Sequence, residues 1–399
     1  MVTHRIGEEA RIGNLGGGLV SAESHRNLIK AEDLCRRGKP EQCVPYLMKA
    51  LEDVHNLDAV IQMAFLAPGH RPEGIEILEQ GEEVGRKLLK TALGEKAFDD
   101  NGGSVGRFWL IIQTRPYMRL LQALVRMYFE EGRYADTART IEEILRLCPG
   151  DNLALKHWLG PMLNQCGRHS DALFFSQAWW HEGIFPARGG TAFTTPNPEV
   201  PASMSEDAVQ FIPCSLVYTA ALSSFKFFGD CDQSRTYLKM SAISNPGVLL
   251  KILARVQRPA NLNFDGRSMN GAEDAQDYLC QTQNLWMEDD IWNWANQSEA
   301  KSLILKICSR AHCEVKEKRV AEFKRCAACH KASYCSQTCQ KLDWPTHKPG
   351  LSDCLAHKQL KATMRTFMAG KSAKDGSVPV VGTDTSELGT SIFTNVDLQ

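Results

Sequence analysis

The chain has 399 residues, of which 43% are hydrophobic and 23% are charged, so it is long enough to hold more than one globular domain. Its formal net charge is −1 at pH 7, which argues against a strongly basic nucleic-acid-binding protein or a membrane-surface protein. No apolar run reaches the length of a bilayer span, and the N-terminus lacks the apolar stretch of a secretory signal. We therefore expect an intracellular protein, in the cytoplasm, the nucleus or both, with reduced thiols.

A mostly α-helical domain is predicted for residues 23–300, after a Gly-rich polar leader at residues 1–22. Its clearest unit is Met118–Pro149, where apolar residues recur at helical spacing on both sides of a turn at Gly132. Ala138 supplies a small residue where the two helices pack, and Pro149 ends the second helix. Helix–turn–helix units of about 34 residues are the tetratricopeptide pattern, which predicts a helical repeat array.

Three further stretches fit the same template. Because one helix pair cannot bury its apolar face alone, the stack of pairs is the expected folding unit. Two Pro/Gly-rich loops, at 183–206 and 257–272, are expected to interrupt it. One or two helices are predicted for Gly271–Ala295, with nearby tryptophans in a capping core rather than a ligand site. The three stretches, with their turn glycines and small residues, are Asn27–His55 (Gly38, Cys43), Ala154–Phe185 (Gly167, Ala172) and Val217–Pro246 (Gly229, Ser234), and the tryptophans are Trp286, Trp292 and Trp294.

Two segments of this region resemble the tetratricopeptide region of suppressor-of-tumorigenicity-type proteins. The first is Thr114–Arg119, which runs into the repeat that ends at Cys148–Asn152. The second is the stretch from Gly271 to Trp294. The resemblance implies a protein-binding helical scaffold rather than a reaction.

Seven of the fourteen cysteines fall between residues 308 and 354, together with a histidine at helical spacing from the last pair. In a chain with reduced thiols, such a cluster indicates metal ligands rather than disulfides. Eight soft or borderline ligands supply two four-coordinate zinc sites. The cluster comprises Cys308, Cys313, Cys326, Cys329, Cys335, Cys339, His347 and Cys354.

The run from Tyr334 to Lys348 resembles the MYND zinc finger closely, and the resemblance extends over residues 305–356. MYND fingers bind two structural zinc ions in an interleaved manner. Carried onto this sequence, one site takes the first and third cysteine pairs and the other takes the second pair and the last two ligands. The first set is Cys308, Cys313, Cys335 and Cys339, and the second is Cys326, Cys329, His347 and Cys354.

Two spacings depart from the family's pattern. Four residues separate Cys308 from Cys313 where two are usual, and six separate His347 from Cys354 where three are usual. A histidine could therefore replace a cysteine at either place. The candidates are His312 or His330 in the first site and His357 in place of Cys354.

The eight ligands leave no open coordination position, so a structural rather than a catalytic role is expected for zinc, and no enzymatic activity is predicted. The resemblance implies a groove for short Pro-containing peptides that involves Gln340 and Trp344. The predicted function is a protein–protein interaction adaptor in transcriptional or developmental regulation, with the repeats holding one partner and the finger a second.

Two other functions remain open. MYND-like fingers also occur in SET-type lysine methyltransferases, although no cofactor motif of that class is found outside the finger. The finger region is locally basic, which would suit a nucleic-acid-binding regulator, but metal-bound thiolates offset that charge and direct binding is not expected. The Gly/Ser/Thr-rich tail at 370–399 is expected to be disordered.

Overall fold

The computed structural model describes residues 15–67, 71–180, 185–201, 204–263, 268–326 and 332–347. Over these ranges the chain is mostly α-helical, as predicted, and consecutive helices pack in a repeat-like order before a small C-terminal finger. The first fourteen residues of the predicted leader and the whole predicted tail lie outside these ranges. In the described part of the chain, no helix combines the length and apolarity needed to cross a membrane.

Two compact units divide the chain, one formed by Met1–Met204 with Leu222–Gly229 and the other by Ser205–Ala221 with Asp230–Gln399. The helices described in the first unit are α1 Ala22–Arg36, α2 Pro40–Leu51, α3 Leu57–Leu66, α4 Arg71–Leu93, α5 Arg115–Glu130, α6 Tyr134–Leu147, α7 Lys156–Gln165 and α8 His169–Ala178. Helix α9, Cys214–Phe228, begins in the second unit and ends in the first. The second unit continues with α10 Asp232–Ser244, α11 Pro246–Leu253, α12 Ala272–Trp286, α13 Asp289–Gln297, α14 Ala300–Ile304, β1 Lys324–Arg325, β2 Ser333–Tyr334 and α15 Gln337–His347.

The predicted turn glycines each lie between two helices and have positive φ. The values are +70° at Gly38, +76° at Gly132, +73° at Gly167 and +78° at Gly229. Such angles are disfavoured for residues with a Cβ, which is why glycine stands there. In the first three turns the glycine N–H and the next N–H donate back to the end of the preceding helix, as in a Schellman cap.

A small residue five positions after each turn glycine is fully buried where the second helix begins. In the clearest pair this residue is Thr137, one position before Ala138, which is itself buried. The other pairs have Cys43, Ala172 and Ser234 at this offset. A compact side chain here lets the second helix pack closely against its neighbour.

One helix pair, α3 and α4, was missing from the sequence interpretation. Helix α4 contains glycines along the face that meets α3, and a Cβ at any of them would lie within 3 Å of an α3 atom. The missing side chains therefore allow the two helices to approach closely. The contacts would be 2.7 Å from Gly74 to the Ala64 carbonyl oxygen, 2.8 Å from Gly81 to Val60 and 2.8 Å from Gly85 to Leu57.

A repeated ion-pair pattern joins successive helix pairs in the first unit. The arginine after the turn glycine pairs with an aspartate in the first turn of its own second helix. The same arginine also contacts a glutamate on the second helix of the preceding pair. The two sets are Arg133 with Asp136 at 2.6 Å and Glu79 at 3.4 Å, and Arg168 with Asp171 at 2.7 Å and Glu142 at 2.6 Å.

Helix α5 is the most enclosed helix of the first unit, because 13 of its 16 residues are buried. It packs against α3, α4 and α6, and it also contacts short 3₁₀ helices at Leu15–Gly18, Phe108–Leu110 and Ile112–Thr114. Its Arg119 donates two 2.8 Å hydrogen bonds to Asp58 on α3, and both side chains are buried. The surface of α5 is therefore occupied by the chain itself.

The predicted helices over Gly271–Ala295 are confirmed as α12 and α13. Trp286 is fully buried, stacks on Trp294 at a centroid distance of 6.4 Å and donates to the Tyr278 hydroxyl. Trp292 is half-buried and donates to the Ile252 carbonyl oxygen. Trp286 and Trp294 are thus part of the core, as predicted, whereas Trp292 is only half-buried. Pro246, expected only to end the preceding helix, is also the first residue of α11.

Candidate metal centre

The first two cysteines of the finger lie at the two ends of a turn. Cys308 N–H donates to the Val315 carbonyl oxygen at 2.9 Å, and Cys313 N–H donates to the Arg310 carbonyl oxygen at 3.0 Å. These bonds fold the four-residue interval back on itself, with exposed His312 at a φ of +62°. The unusual spacing thus forms a wider loop that still returns Cys313 to Cys308.

The fifth and sixth cysteines of the finger lie at the start of α15, with Cys339 in its first turn and Cys335 two residues before it. Ser336 caps this helix, since its Oγ accepts from the Cys339 N–H at 3.1 Å. One helical turn separates Cys335 from Cys339 and brings both thiols to the same end of the helix. Ser309 joins this segment to the first turn through its N–H, which donates to the Ser333 carbonyl oxygen at 2.8 Å, and its Oγ, which accepts from the Ser333 N–H.

The four thiols of Cys308, Cys313, Cys335 and Cys339 form one cluster, in which all Sγ atoms lie within 4.8 Å of one another. The Sγ–Sγ distances are 3.8 Å from Cys313 to Cys335, 3.4 Å from Cys335 to Cys339 and 3.7 Å from Cys339 to Cys313. A tetrahedral zinc ion with Zn–S bonds of about 2.3 Å separates its sulfurs by about 3.8 Å. The cluster therefore has the dimensions and the donor type that a tetrahedral thiolate zinc site requires.

The surroundings of the cluster affect its thiols unequally. The backbone hydrogen bond with Val315 lowers the pKa of Cys313 to about 6, whereas the hydrogen bond with Cys339 raises the pKa of Cys335 to about 12. Hydrogen bonding to Cys313 also raises the pKa of the Arg310 guanidinium. Because zinc binds thiolates, a bound ion would displace the protons that the clustered thiols otherwise share.

The second predicted ligand set is only partly described. Cys326 is buried, and its N–H donates to the Ala332 carbonyl oxygen at 2.9 Å. The ring of His347 lies 6.3 Å from that of Tyr334. Cys329 and Cys354 lie outside the described residues, as do the alternative ligands His330 and His357. The second site therefore stays a prediction, as does the zinc-ligand role of every residue in both sets.

Two side chains hold the finger together from within, and the sequence interpretation missed one of them, Glu317. Glu317 is only 5% exposed, and its carboxylate accepts from the Lys306 N–H at 2.9 Å and the Phe323 N–H at 2.8 Å. Tyr334 is buried, and its hydroxyl donates to Asp343 on α15 at 2.8 Å. A buried glutamate has no local sequence signature, because its partners are backbone groups from distant positions.

The predicted peptide-binding residues lie on α15. Gln340 and Trp344 are one helical turn apart, so they face the same side of the helix. Trp344 is 38% exposed, while the other seven tryptophans are buried or half-buried. Its ring lies 6.2 Å from that of His347. This side of α15 thus presents an aromatic surface beside a predicted zinc ligand.

Residues 308–350 match the family model of the MYND finger. The chain is also 35% identical over 78 residues to F-box protein At1g67340 and 50% identical over 40 residues to F-box protein At5g50450, both of Arabidopsis thaliana. It is 38% identical over 64 residues to SET domain-containing protein 14 of Caenorhabditis elegans. These matches cover 20%, 10% and 15% of this chain, in that order.

The same matches span only 18%, 12% and 15% of the respective relatives, so the shared segment is short in every case. No solved structure matches the chain. The tetratricopeptide resemblance of the helical region stays a prediction. The family match and the four-cysteine cluster together identify residues 308–350 as a MYND zinc finger, a non-catalytic protein-interaction module.

Proposed function

We propose that this chain is a zinc-dependent adaptor, in which the finger docks a short Pro-containing segment of one protein and the helical region binds a second protein. The observation that carries the proposal is the exposure of Trp344 on α15, the helix whose first turn contains Cys339 of the four-cysteine cluster. A large aromatic ring that is partly exposed beside a metal centre is typical of a recognition surface.

A proline-rich segment suits this surface for two reasons. It is already extended in solution and loses little conformational entropy when it binds, and its rings pack well on an aromatic face. Gln340, half-buried one turn before Trp344, can exchange hydrogen bonds with the peptide backbone. The aromatic ring would thus supply contact area and the amide would fix the direction of the peptide.

Two structural zinc ions are part of the proposal. The first would be held by the clustered thiols, and the second by Cys326, Cys329, His347 and Cys354. Since the His347 ring lies 6.3 Å from that of Tyr334 and 6.2 Å from that of Trp344, zinc at His347 would anchor the end of α15 that carries Trp344. Zinc would therefore supply order to the docking surface rather than chemistry.

The helical region is proposed to bind its partner through helices other than α5, whose surface is covered by the chain itself. Tetratricopeptide arrays bind along faces that stay open between repeats, which α5 does not offer. The role in transcriptional or developmental regulation is carried over as part of this proposal. A methyltransferase role is not proposed, because the chain covers only 15% of the SET-domain relative.

Peptide docking can be tested by fluorescence anisotropy with labelled proline-rich peptides and the full zinc-loaded chain. Trp344→Ala should weaken binding at least tenfold, because it removes the exposed ring. Leu342→Ala is the matched control, since Leu342 is 60% exposed on the same helix, and it should bind like the wild type. Unchanged zinc content should accompany both variants. Equal affinity of Trp344→Ala and wild type for every binding peptide would refute the proposed surface.

The two-partner proposal can be tested by affinity purification and mass spectrometry of the wild type beside a Cys335→Ser/Cys339→Ser variant. Partners of the finger should be lost with the variant, and partners of the helical region should be retained. Retention of every partner by the variant would contradict a docking role for the finger. Loss of every partner would contradict a separate binding role for the helices.

A further inference from the structure

A second pair of thiols, far from the finger in sequence, lies in the first helix pair. Cys35 is in the last turn of α1, and Cys43 is in the second turn of α2, after the turn at Gly38. Their Sγ atoms are 3.2 Å apart. This distance is shorter than the three Sγ–Sγ distances of 3.4 to 3.8 Å given above for the metal centre.

The surroundings of this pair do not favour a metal. Stable zinc sites use four ligands, and three is the least that a catalytic site employs. Among the residues that the structure describes, the only group of three or more Cys, His, Asp or Glu side chains close enough to share an ion is the finger cluster. The first helix pair thus offers two thiols with no third ligand, a donor set suited to oxidation rather than metal binding.

The two thiols differ in access. Cys35 is half-buried and packs at the edge of the cluster formed by Leu28, Leu47 and their neighbours. Cys43 is fully buried within that cluster. Burial, together with the hydrogen bond that Cys43 shares with Cys35, raises the pKa of Cys43 to about 11, so this thiol stays protonated. An oxidant from solvent would therefore meet Cys35 first, with Cys43 held in contact behind it.

We propose that Cys35 and Cys43 are a disulfide-forming site that is oxidised by hydroperoxides. The Cys35 thiolate attacks the peroxide, breaks its O–O bond and becomes a sulfenic acid, with release of water or an alcohol. The Cys43 sulfur then attacks the Cys35 sulfur while its proton passes to the departing hydroxyl, so the S–S bond forms and the sulfenic oxygen leaves as water. Two thiols lose two electrons and two protons, and the peroxide is reduced.

The product would join α1 to α2 covalently across the Gly38 turn. The two helices already pack against each other, and only seven residues separate the two cysteines. The link therefore requires the sulfurs to approach but does not require the helices to separate. A thiol reductant would reduce this disulfide again, so oxidation of the site would be reversible.

The test uses the full chain, loaded with zinc and treated with hydrogen peroxide, then blocked with N-ethylmaleimide and digested with trypsin. Cleavage after Arg36 and Arg37 places Cys35 in peptide 31–36 and Cys43 in peptide 38–49. We expect these two peptides to be recovered as one disulfide-linked species, which dithiothreitol separates. The thiols of the finger occur in other peptides, so their oxidation does not affect this readout.

Cys35→Ser should lower the rate of Cys43 oxidation at least tenfold, because it removes the more accessible thiol. Cys166→Ser is the matched control, since Cys166 is also half-buried, and it should leave formation of the linked species unchanged. The wild-type digest decides the matter even if Cys35→Ser folds poorly. Recovery of the two peptides unlinked, whether alkylated or with Cys35 as sulfinic acid, would overturn the proposal.

Discussion

The helical region and the finger are stabilised in different ways. In the helical region, the first helix pair supplies most of one buried cluster of mainly aliphatic side chains, among them Leu28, Leu47 and Ala50. The finger has a buried cluster of six residues, and three of these are cysteines, Cys308, Cys326 and Cys339. Apolar burial can hold a stack of helices together, whereas a core that is half cysteine needs metal to be stable. The comparison therefore separates a region that folds by packing from one that folds by coordination.

Removal of zinc should have the largest effect and should be confined to the finger. Structural zinc sites contribute about 10–16 kcal/mol of apparent binding free energy at neutral pH. A strong chelator should therefore abolish amide protection over residues 306–347 and leave that of α5 and α6 unchanged, as measured by hydrogen exchange and mass spectrometry. Cys335→Ser/Cys339→Ser should reproduce the pattern. Persistent amide protection of the finger without metal would show that the finger does not need zinc to fold.

Among substitutions in the helices, Asp58→Ala should cause the largest loss of folding stability. It would leave the Arg119 guanidinium buried without the carboxylate that accepts its two 2.8 Å hydrogen bonds. Breaking a buried ion pair costs about 3–5 kcal/mol, to be measured by urea unfolding of the helical signal. Arg139→Ala is the control, since Arg139 is 76% exposed, and it should change stability by less than about 0.5 kcal/mol. Zinc content should not change in either variant.

Asp151 should make helical stability depend on pH. Burial raises its pKa from 3.8 to about 6, although its carboxylate accepts hydrogen bonds from the Leu155 and Lys156 N–H groups. The folded state therefore binds the proton more tightly than the unfolded state. This contribution is fully present below pH 3.8 and is lost as the pH rises through about 6, a change of about 3 kcal/mol.

Asp151→Asn should remove this dependence, because an amide does not ionise. Urea unfolding of wild type and variant at pH 5 and at pH 7.5 gives the difference, and the variant should gain relative to the wild type at the higher pH. An unchanged difference between the two proteins at both pH values would show that Asp151 ionises in the folded state as it does in the unfolded one.

Gly132→Ala should have the smallest effect of these changes. A Cβ at Gly132 would meet no atom within 4 Å, so the cost comes from the φ of +76° alone. Left-handed backbone costs an L-residue about 1–2 kcal/mol, again measured by urea unfolding. Gly132→Asn should cost less, because asparagine tolerates this region better. Equal stability of wild type and Gly132→Ala would mean that the turn relaxes to another conformation.

The predictable parts of the fold were those with local signals. A glycine between two apolar periodic segments predicts a turn, and each such glycine lies between two helices in the structure. These glycines are Gly38, Gly132, Gly167 and Gly229. Helix α4 gave the opposite signal, because Gly74, Gly81 and Gly85 lower helix propensity. These glycines allow α3 to pack closely against α4, and this contact involves residues that are distant in the sequence. Tertiary packing, not local propensity, decides that helix.

The candidate metal centre was accessible from the sequence because cysteine spacing is itself the signal. The structure brings Cys308 and Cys313 together despite their unusual spacing, which a wider loop with His312 at positive φ accommodates. The nearness of Cys35 to Cys43 had no comparable signal. Their separation resembles no metal or redox motif, and only the packing of α1 on α2 brings the sulfurs together.

The ion pairs of Arg133 and Arg168 have a consequence for how such a chain can change length. Each arginine reaches one carboxylate on its own helix pair and one on the pair before it. Duplication or deletion of a whole pair would keep every arginine opposite a carboxylate of the right kind. Insertion of a single helix would place the next arginine opposite a helix that lacks the matching carboxylate. The pattern therefore suits growth in steps of two helices better than growth by one helix.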